Sequence, residues 1–218
     1  MTYKAIIFDM DGLLVDSETV WHVAERELFE LRGYAYTDEV REQIIGLRLD
    51  EMFTRLHSIY QFEESPIALL EELIERMLEL IPQMVRPQPG ALEIIEYVQQ
   101  HNIPHAIASS SPRSIIDAVV ESQGWGDFFT VRCTADDEKA GKPAPDVYLT
   151  AARRLGVDPA DCLALEDSTT GSRAAVAAGM TCFAVPDVSH SAPEKFRDIT
   201  PHVFGSLHEV IDRLQAKS

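Results

Sequence analysis

Tyr3-Lys4-Ala5-Ile6-Ile7-Phe8-Asp9-Met10-Asp11-Gly12 is the stretch on which the fold turns. A short apolar run that stops abruptly at an aspartate reads as a strand buried on both faces, the kind found in the middle of a parallel sheet. Two carboxylates one residue apart stand at its carboxyl end, and Gly12 follows, able to adopt a backbone conformation closed to larger residues. Asp-x-Asp-Gly alone is a common turn. Placed straight after a buried strand it becomes a candidate site.

Beyond Pro89 the rhythm alternates. A helix over 90–101 precedes the strand His105–Ala108. Ser111 reads as an N-cap, with Pro112 at the first helical position of a helix reaching about Gln123. Phe128–Cys133 is the next strand candidate, Asp146–Leu155 a helix capped by Gly156, Cys162–Leu165 a strand, Thr170–Ala178 a helix capped by Gly179, Cys182–Val185 a strand, and Leu207–Leu214 a closing helix. Strands alternating with helices define the class as α/β: a Rossmann-like parallel sheet with helices on both faces.

Residues 16–84 break that rhythm and contain almost nothing strand-like. Val20, Val23, Ala24, Leu28 and Leu31 recur at helical spacing ahead of Gly33, 38–60 reads as one or two helices, and Pro66 opens another through Ile81. This third of the chain holds 16 acidic residues against 6 arginines and no lysine. The expected organisation is a core of 1–15 and 85–218 with an inserted helical cap, 16–84. Flexible joints are expected near Leu14–Ser17 and Pro82–Pro89.

The bulk composition narrows the partners. The chain has 218 residues and a formal net charge of −17, with the acids dispersed rather than in a block. Such a surface repels nucleic acid and anionic membranes, so neither is expected as a partner. Cys133, Cys162 and Cys182 lie in or beside apolar runs at spacings unlike a zinc motif, which fits reduced, buried thiols. No signal peptide is read at the N-terminus and no apolar stretch approaches the roughly 20 residues of a membrane span. The expectation is a cytoplasmic monomer.

Three apolar strands end in polar groups: Asp9-Met10-Asp11-Gly12, Ser109-Ser110-Ser111 and Glu166-Asp167-Ser168. In open parallel sheets ligands bind beyond the carboxyl ends of strands, so these clusters should meet at one edge. Lys142, before Pro143, joins them from a stiff loop ahead of the helix that starts near Pro145. Asp9, Asp11, Glu166 and Asp167 would repel one another unless a hard divalent cation intervened, and oxygen donors suit magnesium. A lysine and hydroxyls at a helix start make an anion site. Carboxylates, metal and anion site together describe phosphoryl transfer.

Phe8-Asp9-Met10-Asp11-Gly12, Ala108-Ser109-Ser110-Ser111, Lys142-Pro143 and Leu165-Glu166-Asp167-Ser168 resemble the four motifs of the haloacid dehalogenase-like hydrolase superfamily, in its branch of β-phosphoglucomutase and small sugar-phosphate phosphatases such as 2-deoxyglucose-6-phosphate phosphatase. The resemblance implies a magnesium-dependent phosphatase acting on sugar phosphates of the hexose 6-phosphate type. In it Asp9 is the nucleophile that forms an aspartyl-phosphate, and Asp11 the general acid and base. Asp9 and Asp167 ligate magnesium through their side chains, Asp11 through its carbonyl, with Glu166 as ligand or through water. Ser109, Ser110, Lys142 and Gly12 frame the phosphate, and Glu18 and Arg48 are candidate substrate contacts from the cap.

Departures from the pattern sort the branches. The second aspartate argues against dehalogenation, where a halide needs no acid. The lysine-free cap argues against phosphonate hydrolysis through a Schiff base. Where β-phosphoglucomutase carries a histidine after its nucleophile, this chain has Trp21, with His22 beside it. Phosphatase is therefore the reading, with a phosphosugar mutase as the alternative and a non-enzymatic binding protein behind both.

Overall fold

The computed structural model describes residues 3–41, 43–44, 49–186 and 192–216. The chain separates into two compact units, Met1–Asp16 with Arg86–Ser218, and Ser17–Val85. It begins with β1 (Ala5–Phe8) and β2 (Val15–Asp16). The second unit follows, with α1 (Glu18–Glu30), α2 (Asp38–Arg41), α3 (Leu49–Tyr60) and α4 (Pro66–Met84). The first unit resumes with β3 (Arg86–Pro87), α5 (Ala91–Gln100), β4 (His105–Ser109), α6 (Arg113–Ser122), β5 (Arg132–Thr134), α7 (Asp146–Leu155), β6 (Cys162–Glu166), α8 (Thr169–Ala177), β7 (Thr181–Ala184) and α9 (Leu207–Gln215).

The main sheet is parallel throughout, in the order β5-β4-β1-β6-β7. The chain passes from β1 to β4 on one side and later to β6 on the other. The connections thus diverge beside β1, and the crevice at such a switch point is where an α/β sheet binds its ligand. Ala5 and Ile7 of β1, Ala106 and Ala108 of β4 and Ala164 of β6 share one buried cluster with Val147, Tyr148, Ala151 and Ala152 of α7 and with Ala174 and Ala175 of α8. The small side chains let both helices lie close to the sheet. Ile6 and Phe8 alternate to the opposite face, where Phe8 meets the edge of Phe129 with ring centroids 5.6 Å apart. Each fully buried Ile or Phe of β1 contributes about 1.5–3 kcal/mol.

In the second unit Val20, Ala24 and Leu28 of α1 and Leu69, Leu73 and Met77 of α4 are buried. Phe29 stacks on Tyr36 with centroids 4.8 Å apart. Arg32 reaches Glu72 at 2.6 Å and Arg76 reaches Glu27 at 2.6 Å, so arginines of this acid-rich unit tie α1 to α4.

Three expectations are corrected. The strand expected over Phe128–Cys133 is shorter and later, Arg132–Thr134. Phe128 stacks on His105 at 3.8 Å and Phe129 is fully buried, so packing in a turn outweighs the strand preference of aromatic residues. Helix α4 runs through Pro82 to Met84, held by the buried Leu80 and Ile81 just before it. At the expected joints, Val15 faces Pro87 and Asp16 faces Arg86 in an antiparallel ribbon. Ser111 does not cap α6, whose N-cap is Pro112. All three cysteines are free and buried. Among the described residues, no helix is long and apolar enough to cross a membrane.

Candidate active site

Strand β1 delivers Asp9 to the switch point, where its backbone N–H donates to Leu165 O of β6 at 2.9 Å. The Asp9 side chain is 8% exposed. The turn that follows needs Gly12, whose φ is +79°, and a Cβ there would lie 2.2 Å from Asp167 Oδ2. Strand β4 ends at Ser109, which is fully buried. Its hydroxyl donates to Asp11 Oδ2 at 3.0 Å and accepts from the Ser111 N–H at 2.9 Å. Ser111 donates its own hydroxyl to the same Asp11 oxygen at 2.8 Å. Asp11 is therefore held by two serines at the end of β4, and Ser110 between them is exposed.

Lys142 precedes a proline in the loop leading to α7 and reaches in with a side chain only 5% exposed. Its ammonium lies 2.7 Å from Asp9 Oδ1 and 2.6 Å from Glu166 Oε1. Glu166, at the end of β6, is fully buried. Its Oε1 also accepts from the Tyr148 hydroxyl at 2.8 Å, and its Oε2 accepts from the N–H and hydroxyl of Ser168 at 3.2 and 3.0 Å. Ser168 caps α8 in addition, accepting from the Gly171 N–H at 3.0 Å. The close approach of α8 to this carboxylate depends on Gly171, since a Cβ there would fall 1.6 Å from Glu166 Oε1.

Burial pushes the Asp9 carboxyl above the usual carboxylate range; Lys142 pulls it down, and Glu166 and Asp11 push it up. Asp167 is raised by burial and then by Asp9 and Glu166. Burial alone would lower the Lys142 ammonium, but Asp9 and Glu166 together hold it above the ordinary lysine value. The cluster thus gathers four carboxyl groups, Asp9 and Glu166 in contact with one ammonium, Asp167 beside them, and Asp11 held by the serines. Asp9, Glu166 and Asp167 each present an oxygen within 4.8 Å of the others, a donor set of hard oxygens that fits a divalent cation such as magnesium.

The remaining sequence-derived candidates belong to the Ser17–Val85 segment of the chain. Glu18 opens α1 in the Ser17–Val85 unit and pairs with Arg41 at 2.8 Å. Arg48 lies outside the described residues. Trp21 and His22 are half-buried on α1. Two residues of the site were not singled out from the sequence for it: Tyr148 reads as one more apolar position of α7, and Gly171 interrupts no pattern. Ser111 belonged to the expected polar cluster but was read as a cap.

A group of carboxylates at the switch point of a parallel sheet, with one of them in contact with a buried ammonium, fits the class of α/β hydrolytic enzymes that act on anionic substrates. The model of the haloacid dehalogenase-like hydrolase family matches residues 6–185, and the chain belongs to that family. A hexitol phosphatase of Escherichia coli is 34% identical over 197 residues, covering 89% of this chain and 86% of the relative. A fructose-1-phosphate phosphatase of the same organism is 31% identical over 180 residues, covering 82% of this chain and 94% of the relative. Among solved structures, a β-phosphoglucomutase of Clostridium difficile superposes with a TM-score of 0.82 at 26% identity, covering 100% of this chain and 97% of that one.

Proposed function

We propose that this chain is a magnesium-dependent phosphatase that hydrolyses small phosphate monoesters, sugar phosphates of the hexose 6-phosphate type above all, through an aspartyl-phosphate on Asp9. The observation that carries the reading is the contact of buried Asp9 with Lys142 at 2.7 Å beside an Asp11 held by two serines. The sugar- and hexitol-phosphate specificities of the relatives support the substrate class.

In this reading an Asp9 oxygen attacks phosphorus, and the bond from phosphorus to the ester oxygen breaks. Asp11 gives that oxygen its proton, and the sugar alcohol leaves. Water then attacks the phosphorus of the aspartyl-phosphate, Asp11 takes the proton of that water, and phosphate departs with the Asp9 carboxylate restored. Lys142 faces the transferring group and offsets its charge. Asp9, Asp167, the Asp11 carbonyl and Glu166 are the residues that would hold magnesium, which when bound supplies positive charge opposite the phosphoryl oxygens. Gly12, Ser109 and Ser110 frame the phosphate. The Ser17–Val85 unit is assigned the choice of substrate, with Glu18 and Arg48 as its candidate contacts.

The likeness to a β-phosphoglucomutase favours a second reading, isomerisation of a sugar phosphate. One assay separates the two: phosphate release from a panel of sugar phosphates, with magnesium and with chelator, Asp9→Asn serving as the blank. Metal-dependent release that the variant lacks is expected. Glucose 6-phosphate formed from β-glucose 1-phosphate without free phosphate would establish the mutase, and silence on every substrate would overturn both.

A further inference from the structure

Glu166 is a fully buried carboxylate, and its Oε1 is shared by two donors of different kinds, Lys142 at 2.6 Å and Tyr148 at 2.8 Å. The same Lys142 ammonium sits 5.1 Å from the centre of the Tyr148 ring, close enough for the ring face to attract it. Tyr148 is fully buried on the first turns of α7, so its ring has no freedom to leave. The seat is closed from the other side by Gly171, where any β-carbon would displace Glu166 Oε1. One side chain therefore touches both halves of the Lys142–Glu166 pair, while Lys142 alone continues to Asp9.

We propose that Tyr148 is a positioning residue for the reaction: its hydroxyl, by taking part of Glu166 Oε1, and its ring, by supporting Lys142, keep the lysine ammonium on Asp9 rather than wholly on Glu166. The proposal rests on the phosphatase reading. Without that hydroxyl, Glu166 Oε1 would be left to Lys142 alone. A charge-assisted hydrogen bond in a buried site is strong enough to draw the ammonium toward its remaining partner. Tyr148 would then act on the step in which charge builds on the phosphoryl group, with little effect on binding of the sugar.

The test is Tyr148→Phe, which removes one oxygen and keeps the ring that packs against the sheet. The expected result is a kcat about ten-fold lower with KM within about two-fold of the unsubstituted enzyme. A second readout needs no substrate: binding of beryllium trifluoride with magnesium at Asp9, followed by fluorine NMR, should weaken about ten-fold. Thermal unfolding identifies any loss that is merely structural. A double-variant cycle with Glu166→Gln checks the route, since Tyr148→Phe should cost little more once Glu166 is neutral. Unchanged kcat and unchanged beryllium trifluoride binding, or fully additive losses in the cycle, would overturn the proposal. If the unsubstituted protein binds beryllium trifluoride but turns over no phosphate ester, the phosphatase reading fails while the positioning claim is still tested by the binding arm.

Discussion

Ser111 shows how one hydroxyl is read differently from the sequence and from the folded chain. As an N-cap, its loss would lower stability by about 1 kcal/mol and leave turnover alone. Bonded to Asp11 Oδ2 at 2.8 Å, it orients the residue assigned to proton transfer. Ser111→Ala is therefore expected to lower kcat about ten-fold with KM nearly unchanged. A variant that melts earlier but turns over normally would return Ser111 to the capping role. Asp9, Lys142, Glu166 and Asp167 could be picked out as a group because strands or a proline-bounded loop stop at them. Tyr148 and Gly171 could not, because their roles are set by contact with Glu166 rather than by a local pattern. At Tyr148 the useful atom is the hydroxyl on a ring that otherwise packs as core, and at Gly171 it is the missing β-carbon.

Among the elements, α1 and α2 hold a buried acid that the catalytic scheme does not use. Glu25 of α1 accepts a hydrogen bond from the Tyr36 hydroxyl, and Arg41 and Glu18 lie near enough to act on its charge. Burial pushes its carboxyl up to about 7 from an ordinary 4.5, with Tyr36 and Arg41 opposing and Glu18 adding. Between those values the folded state keeps a proton that the unfolded chain has released. Stability therefore falls as pH rises from 4.5 and levels off above 7, by on the order of 3 kcal/mol in all. Glu25→Gln removes the charge and should raise the melting temperature above pH 7 while matching the parent below pH 4.5. Equal melting curves at both ends would show that Glu25 is not desolvated. The element pattern itself was readable wherever an apolar period and a cap coincided, as at α7 with Gly156. It failed at β5 and at the end of α4, where burial of Phe129 and of Leu80–Ile81 overrode local preference.

At the scale of the whole molecule, the α/β core follows from a single fact of topology. Strand β1 lies between β4 and β6, and the connections diverge beside it, so the residue at its carboxyl end stands at the switch point of the sheet, where such sheets bind ligands. The alternation of strands and helices after Pro89 made that arrangement legible. The second unit announced itself only by lacking strands and by its acidity, and its helices carry no motif from which a particular sugar can be read. Everything proposed for the chemistry rests on Asp9 being the atom donor in a covalent step. The direct measurement is to quench a turnover with a sugar phosphate in magnesium, reduce the protein with borohydride, which converts an aspartyl-phosphate to homoserine, and sequence the peptides. Homoserine at position 9, absent without substrate, is the expected result. Phosphate release with an unmodified Asp9, or homoserine at any other aspartate, would contradict it.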